Sequence, residues 1–538
     1  MTEAQSSSAS GSFAPLRQPM FAMLWAATVL GNIGSFMRDV ASAWMATQLS
    51  SSPAAVAMVQ TAATLPIFLL ALPAGVLSDI LDRRRLLIAI QLLFACVSAS
   101  LLWLAHSGRL TLESLIVLTF IGGIGAAIMG PSWPAIVPEL VPRAQLRSAV
   151  ALNSLGVNIA RSTGPAIGGL LMASFGAAAA YGADLLSYVF VIAALILWRR
   201  PPAAQKHLPE HFLGAFSAGL RYARFSNELH RVLLRAAAFF LFASAVWALL
   251  PLVARRMLGG DASFYGLLLG TVGAGAILGA LLLPQLRQRL SNDGLLLTAA
   301  LLAAFVLAAL ATAPPHWLAL FLMLAIGMAW ILALTTFNGV AQAVLPDWVR
   351  GRGLSIYLMV FNGSMAAGSL GWGLIAESWG LPATLAAAAL GLALVSLVCH
   401  KLKLPAGEAD LQASGHWPEP AQTSGPVENS RGPVMVQIEY QIARADMGAF
   451  AQAMQAVALE RRRNGACAWG LAEHTSEPGR VIEWFLLASW AEHLRQHQRV
   501  SRAEAGAQAA ALQFHQGPER PAVHHYLTMP PPAAGQVS

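Results

Sequence analysis

PAAVAMVQTAATLPIFLLALPAGVLSDILDRRRLLIAIQLLFACVSASLLWLAH, residues 53–106, decides the fold: two apolar runs, 53–78 and 85–106, flank a turn that holds three consecutive arginines. A helix needs about 20 apolar residues to cross the hydrocarbon core of a bilayer, and each run supplies them. The turn stays in water while both flanks span. Working outward in both directions adds ten further stretches, at roughly 20–48, 111–132, 146–174, 177–198, 229–256, 263–286, 293–313, 315–343, 351–377 and 380–400. The sequence therefore predicts an all-α membrane protein of twelve transmembrane helices in two six-helix halves, with a small α+β domain after them.

Composition agrees. Of 538 residues 56% are hydrophobic and 11% charged, against roughly 25% charged in globular proteins, which excludes a water-soluble chain. The net charge of +8 does not point to nucleic acid, because the basic residues cluster between apolar stretches without an aromatic-interleaved basic face. Those clusters report orientation instead. Arg17, Arg83, Arg84, Arg85, Arg143, Arg147, Arg199, Arg200, Lys206, Arg221, Arg224, Arg287, Arg289, Arg350, Arg352, Lys401 and Lys403 share the side of the N-terminus, with Arg109, Arg255 and Arg256 opposite. Loops rich in Lys and Arg stay in the cytoplasm, so both termini are expected there, in an inner (cytoplasmic) membrane. The opening stretch MTEAQSSSASGSFAPLRQPM lacks an apolar core followed by a small-residue cleavage site, which makes the first apolar run a retained span. Cys96, Cys399 and Cys467 offer no disulfide or zinc spacing. No Gly-rich loop with Lys-Ser/Thr follows a strand, so ATP-driven transport is not expected of this chain. No cofactor and no metal are expected.

The two halves repeat. At a constant numbering offset of 204, Gly75 matches Gly279, Arg83 matches Arg287, Arg85 matches Arg289, Gly123 matches Gly327, and Pro142 matches Pro346. Asn158, Gly164 and Gly169 then match Asn362, Gly368 and Gly373. Six spans separate the copies, so both run in the same direction, a parallel repeat that places a substrate cavity between halves near the midplane. The expected organisation is an N-terminal segment (1–19), a first half (20–200), a central cytoplasmic loop (201–228), a second half (229–403), a linker (404–432), a ferredoxin-like domain (433–530) and a tail (531–538). Within the central loop, HFLGAFSAGLRYARF reads as a connecting helix or one lying on the membrane surface.

Three constellations carry chemistry. The loop Gly75-Val-Leu-Ser-Asp79-Ile-Leu-Asp82-Arg83-Arg84-Arg85 suits a gate: Gly75 permits close helix approach, Asp79 can meet a helix N-terminus or an arginine, and the arginines hold the cytoplasmic face. Its plainer reading is a topology signal. The fifth span carries Gly156 and then Gly164-Pro165-Ala-Ile-Gly168-Gly169, where small residues let helices touch and Pro165 bends the backbone; ordinary glycine packing is the alternative. Acids inside the spans are few: Asp39 and Asp184, both in the first half, with Arg161 near the middle of the fifth span and no mid-span acid in the second half. A mid-membrane arginine costs about 3 kcal/mol on insertion scales, so Arg161 calls for a partner or a wet cavity. Asp39 either carries a proton or pairs with Arg38 or Arg161 to lock helices.

The loop resembles the signature loop of the major facilitator superfamily, with Ile80 and Asp82 where the family has a basic residue and a glycine. The fifth-span glycines resemble the motif of its drug-exporting antiporters. The fourth span, Thr119 to Gly125, lacks the arginine many members place there. With Asn158-Ile-Ala-Arg161 and Pro346-Asp347-Trp348-Val349-Arg350-Gly351-Arg352, residues 15–403 are similar to the enterobactin-exporter branch. The resemblance implies an efflux antiporter that exports a small organic molecule, a siderophore or drug, powered by proton influx, with Asp39, Arg161 and Asp184 as coupling candidates.

After Lys403 a Pro/Gly/Ser-rich stretch too polar to pack leads into a βαββαβ pattern: strand 434–442, a helix, strands in CAWGLAEH and RVIEWFLLAS, helical residues 490–515, and a final strand AVHHYLTM. It resembles the dimeric α/β-barrel domains related to antibiotic-biosynthesis monooxygenases, which implies homodimerisation or regulation. His493 and His497 are four apart on a helix, with His474, His524 and His525 elsewhere; a solvated face is the expected reading of that pair. Two other functions stay open: an uptake carrier, and a membrane-tethered enzyme or sensor acting through the tail.

Overall fold

Helix starts are written by proline and by short polar caps. In the computed structural model, α1 (Pro19–Leu49) opens on proline, and so does α2 (Pro53–Ile80). Ser52 caps α2, its Oγ accepting the Ala55 N–H at 3.2 Å. Asp82 caps α3 (Arg83–His106) by accepting the Arg85 N–H at 2.9 Å, so the arginine-rich turn is itself a helix start. Thr111 and Ser114 form a capping box at α4 (Leu112–Ser132). There follow α5 (Leu146–Phe175), α6 (Ala177–Leu197), α7 (Phe212–Phe225), α8 (Asn227–Leu252), α9 (Ala262–Arg289), α10 (Asn292–Ala311), α11 (His316–Ala343), α12 (Arg350–Trp379) and α13 (Leu381–Cys399).

The structure describes residues 12–198, 212–405, 410 and 427–528. The expected N-terminal segment, central loop, linker and tail lie partly or wholly outside the described residues, as do Arg199, Arg200 and Lys206. Among the described residues, eleven helices are long and apolar enough to cross a membrane: α1 to α4, α6 and α8 to α13. The fifth of the expected spans, α5, is 30 residues long but diluted by Asn, Ser, Arg and Gly.

Two compact units form. The first holds α1 to α6, most of α8, α9, α10, α11 to Gly339, and α12 and α13 from Ser355 onward. Its halves repeat closely in places. Helices α5 and α12 begin and end at the constant offset of 204, α4 and α11 begin at it, and Gly176 and Gly380, at φ +80° and +78°, precede α6 and α13. The offset fails at the second and third helices. Helix α2 begins at Pro53 and α9 at Ala262, α3 at Arg83 and α10 at Asn292, so the offset there is 209. Arg83 and Arg85 accordingly start α3, while Arg287 and Arg289 finish α9. The arginine matches at 204 are therefore coincidental: the second half runs longer before α9 and gives the excess back before α11.

Glycine contacts agree with the corrected register. A Cβ on Gly123 would lie 2.9 Å from the Ala63 carbonyl of α2, and one on Gly327 would lie against the Val272 carbonyl of α9. Ala63 and Val272 again differ by 209 in number. The same relation joins the halves: Gly169 of α5 meets Ala262 and Gly266 of α9, whereas Gly373 of α12 meets Pro53 and Ala57 of α2. Two seams related by pseudo-two-fold symmetry result, each closed by backbone approaching backbone where no large side chain intervenes.

The second unit contains α7, the start of α8, residues 340–354 and the C-terminal fold. There β1 (Val434–Gln441), α14 (Met447–Arg463), β2 (Ala466–Glu473), β3 (Arg480–Leu487), α15 (Trp490–Arg499), α16 (Arg502–Leu512) and β4 (Ala522–Leu527) follow in order. The sheet runs β2-β3-β1-β4, all neighbours antiparallel. Strict alternation in β1 buries Val434, Val436, Ile438 and Tyr440 against Phe450, Met454 and Val457 of α14. Glu483 is fully buried and answered by Arg461 (3.0 Å), Tyr440 Oη (3.2 Å) and Trp469 Nε1 (3.0 Å). The expected single helical stretch 490–515 is two helices, broken where Val500 turns extended and the Ser501 carbonyl accepts the Ala505 N–H.

Candidate functional site: a cavity between the halves

A cavity of about 640 Å³ lies where α1 to α6 face α8, α9, α11 and α12, within the usual size range of ligand pockets. Its two walls differ in charge. The first half contributes Asn32, Ser35, Arg38, Asp39, Gln60, Gln91 and Arg161 beside the aromatic Phe36, Phe94, Trp133 and Tyr188; the second contributes Trp247, Tyr265, Trp330, Phe361 and Met365 and no charged residue among those described. Trp247 and Trp330 meet edge-on at 5.0 Å, and Phe240 supports Phe361 at 4.5 Å, which makes the second wall a rigid aromatic one.

Arg38 organises the polar wall. Its Nη1 donates to Tyr188 Oη at 2.9 Å and to Asp184 Oδ2 at 3.3 Å, while Nη2 reaches Asp39 Oδ1 at 3.2 Å. Ser98 Oγ donates to the same Asp184 oxygen at 2.6 Å, and Ser35 Oγ lies 2.9 Å from Tyr188 Oη. Asp184 is completely buried, with no partner for Oδ1 among the described residues. Asp39, by contrast, has a side chain 63% exposed and lines the cavity. Glycine makes this packing possible, since a Cβ on Gly34 would lie 2.9 Å from Asp184 Oδ1. Of the three charged candidates read from the sequence, Asp39 and Asp184 share one arginine. Arg161 faces the cavity by itself, with no carboxylate paired to it among the described residues. Sequence alone does not single out Arg38, Tyr188 and Ser98 as functional; an Arg, a Tyr and a Ser inside apolar spans are the signal that could find them.

The antiporter-like glycines seat α5 between two helices. Cβ atoms on Gly156, Gly164 and Gly168 would collide with Val29, Phe36 and Met37 of α1, at 2.7 Å in each case, and one on Gly169 with the Ala262 carbonyl of α9 at 2.5 Å. Opposite, the Pro165 carbonyl would lie 2.5 Å from a Cβ on Gly266. The arginines of the turn brace the first half. Arg83 donates to the Ala135 carbonyl (2.9 Å) and Glu139 (3.1 Å), and Arg84 caps the end of α6 through the Leu195 (2.9 Å) and Ile196 (2.7 Å) carbonyls. Arg85 contributes its backbone N–H to the Asp82 cap. A Cβ on Gly75 would lie 3.6 Å from Ser355 Oγ of α12; the Asp79 side chain lies outside the described residues.

The end of the bundle away from those arginines is tied across the halves. Arg255 donates to the Thr47 carbonyl, Arg256 to the Ser51 carbonyl at 2.6 Å, and Ser52 Oγ to Glu377 at 2.8 Å. A polar-walled, aromatic-backed chamber, shut at one end by hydrogen bonds between symmetry-related halves, is a carrier's geometry rather than a channel's.

The profile of a family described as transmembrane secretion effector matches residues 10–532. The chain belongs to the major facilitator superfamily. Its proteins are transporters, not enzymes, and this one is a multi-pass membrane transporter. The multidrug efflux pump Tap of Mycolicibacterium fortuitum is 28% identical over 396 residues, covering 71% of this chain and 95% of that one. The staphyloferrin A transporter of Staphylococcus aureus is 24% identical over 390 residues, covering 70% and 96%. Among solved structures, a bacterial homologue of the human lysosomal transporter Spinster, in an inward-facing and unoccupied conformation, superposes with TM-score 0.58 at 15% identity, covering 72% of this chain and 97% of that one. The nucleoside transporter NupG gives 0.55 at 14%, covering 71% and 98%.

Proposed function

We propose that this member of the superfamily exports a small amphipathic organic molecule, of siderophore or drug-like size, across the cytoplasmic membrane by alternating access coupled to proton entry. The observation that carries the reading is the cavity between the halves, with every described lining charge on the first half and aromatic side chains from both. An amphipathic substrate lays its apolar face on Trp247, Trp330 and Phe361 and its polar groups toward Gln60, Gln91 and Arg161. Relatives named as a multidrug efflux pump and a staphyloferrin A transporter support the same class of cargo.

In this reading α5 completes the set of twelve spans as the fifth of them, its polar residues tolerated because they face the cavity and glycine seams. Asp39 is the proton carrier: it is wet, and it sits against Arg38, which a protonated or substrate-bearing state can release to Asp184. Arg161 substitutes for the missing fourth-span arginine. The motif from Gly75 to Arg85 gates the cytoplasmic end, and both termini are cytoplasmic. The C-terminal fold is a ferredoxin-like domain, and its half-buried outer face, with Met435, Ile482, Trp484 and Leu486, is apolar enough to pair two copies.

Proteoliposomes with an imposed pH gradient test the function. Uptake of a siderophore, dye or drug into acid-inside vesicles, abolished by a protonophore, is the expected result. Transport driven equally well without a gradient would reject the coupling, and no movement of any amphipathic compound would reject the cargo class.

A further inference from the structure

The C-terminal domain contains a second cluster of chemistry, separate in kind from the cavity. On α15, His493 and His497 stand one helical turn apart on one face. Strand β4 pairs with β1 so that His525 lies opposite Val436, a residue buried beneath the helices, and therefore points to the helical side of the sheet. His524 pairs with Gln437 and points away. The result is a three-imidazole group. The His493 ring lies 4.7 Å, centre to centre, from both His497 and His525, and ligand nitrogens of all three lie within 4.8 Å of one another.

His493 is the anomaly. It is fully buried, packed beside Trp490 at 5.2 Å, and neither ring nitrogen has a hydrogen-bond partner among the described residues. A core histidine kept for packing alone would use at least its N–H, because a buried unpaired donor is costly. We propose that His493, His497 and His525 form a site for one divalent first-row transition metal ion, of the zinc class, in the C-terminal domain.

The donor set suits such an ion. Three neutral nitrogens and no carboxylate favour zinc, cobalt, nickel or copper over the oxygen-seeking magnesium and calcium. Zn–N bonds of about 2.1 Å bring ligand nitrogens to about 3.4 Å from one another. The less buried His497 and His525 rings reach that spacing by side-chain rotation, while His493 stays as the anchor. A fourth position is left for water. The pair on α15, which sequence alone reads as a solvated face, becomes a ligand set because the fold supplies the third histidine from the last strand of the sheet.

The test uses the full-length chain in detergent with any affinity tag removed, and the metal alone as probe. Equilibrium dialysis against Zn²⁺ and the visible absorption of added Co²⁺ should give one ion per chain. His497→Gln and His525→Gln, both at the accessible side of the cluster, should each weaken Zn²⁺ binding at least tenfold with circular dichroism unchanged. His524→Gln, on the other face of the same strand, should leave it intact. No ion retained at micromolar Zn²⁺, or one retained equally by the His497→Gln/His525→Gln double variant, overturns the proposal; so does loss in His524→Gln with His525→Gln unaffected.

Discussion

Arg38 on α1 and Asp184 on α6 form an ion pair at 3.3 Å, in which the carboxylate is wholly buried and the guanidinium opens onto the cavity. Burying one charge is tolerable only while its partner stays. Asp184→Ala removes the buried one of the two carboxylates on Arg38, which keeps only the exposed Asp39, and also leaves Ser98 without its acceptor. The expected loss is about 3 kcal/mol, read as a lowered midpoint in thermal unfolding of the detergent-solubilised protein. A midpoint indistinguishable from wild type would show that water replaces the carboxylate and that the pair is not structural.

Asp39 sits on the same arginine but in the opposite setting, exposed to the cavity. Its charge is not needed to fold the bundle. Asp39→Asn is expected to fold with wild-type stability and to lose pH-driven transport, while binding of substrate, measured by quenching of the cavity tryptophans, persists. Retained pH dependence would remove Asp39 from the coupling path and leave Asp184 as the remaining acid.

The two seams predict a graded response to added carbon. Gly169 has no room: a Cβ there lies 2.5 Å from the Ala262 carbonyl and 2.8 Å from Gly266 Cα, both backbone atoms that cannot rotate away. Gly371, on α12, faces open space. Gly169→Val should therefore pry α5 from α9 and cut transport at least tenfold, and Gly371→Ala should leave it unchanged. Equal activity in both variants would mean that the α5–α9 seam moves as a soft joint.

Much of this is legible in the residues. Span positions follow from apolar length alone, and α5 matches its expected limits to within one position because Gly176 ends it. Strands β1 and β3 of the C-terminal domain follow from strict alternation bounded by turns. The repeat is readable from sequence only where both halves have equal connections. A one-dimensional offset cannot absorb an insertion, so it sets Gly75, Arg83 and Arg85 beside residues out of register with them. Asp39 and Asp184 are recognisable as rare charges in apolar spans. Their convergence on Arg38 is not, since it depends on the rotation of α1 against α6, which the close approach at Gly34 sets. The third histidine is hidden for the same reason: strand pairing, not sequence distance, brings His525 to α15.

The tied end of the bundle carries a conformational prediction. Hydrogen bonds from Arg255, Arg256 and Ser52 cross between halves there. Each contributes about 1 kcal/mol. Arg255→Gln with Arg256→Gln should remove about 2 kcal/mol from the state closed at this end, a population shift of roughly 30-fold. Spin labels at the exposed positions Gln48 and Ser378 should then report a longer-distance population by double electron–electron resonance. An unchanged distance distribution would mean that the α5–α9 and α2–α12 seams alone hold this end shut.

Within the second unit, α15 turns a different set of residues toward α7 and the stretch before α12. Glu492 accepts from Arg221 at 2.8 Å and from Arg499 at 2.6 Å, and the Arg499 guanidinium lies 4.4 Å over the ring of Trp348. Tyr222 donates to the Val344 carbonyl at 3.0 Å and meets Trp348 edge-on at 5.8 Å. These contacts form one network, so single removals should not add. Arg221→Gln and Glu492→Gln are each expected to raise amide hydrogen exchange of the α7 peptide, as measured by mass spectrometry on the full-length chain. The double variant should exchange little faster than either single one, because both remove the same bond. Additive increases would show that Arg221 and Glu492 stabilise α7 independently, and the network would then be two unrelated surface pairs, each worth less than about 1 kcal/mol.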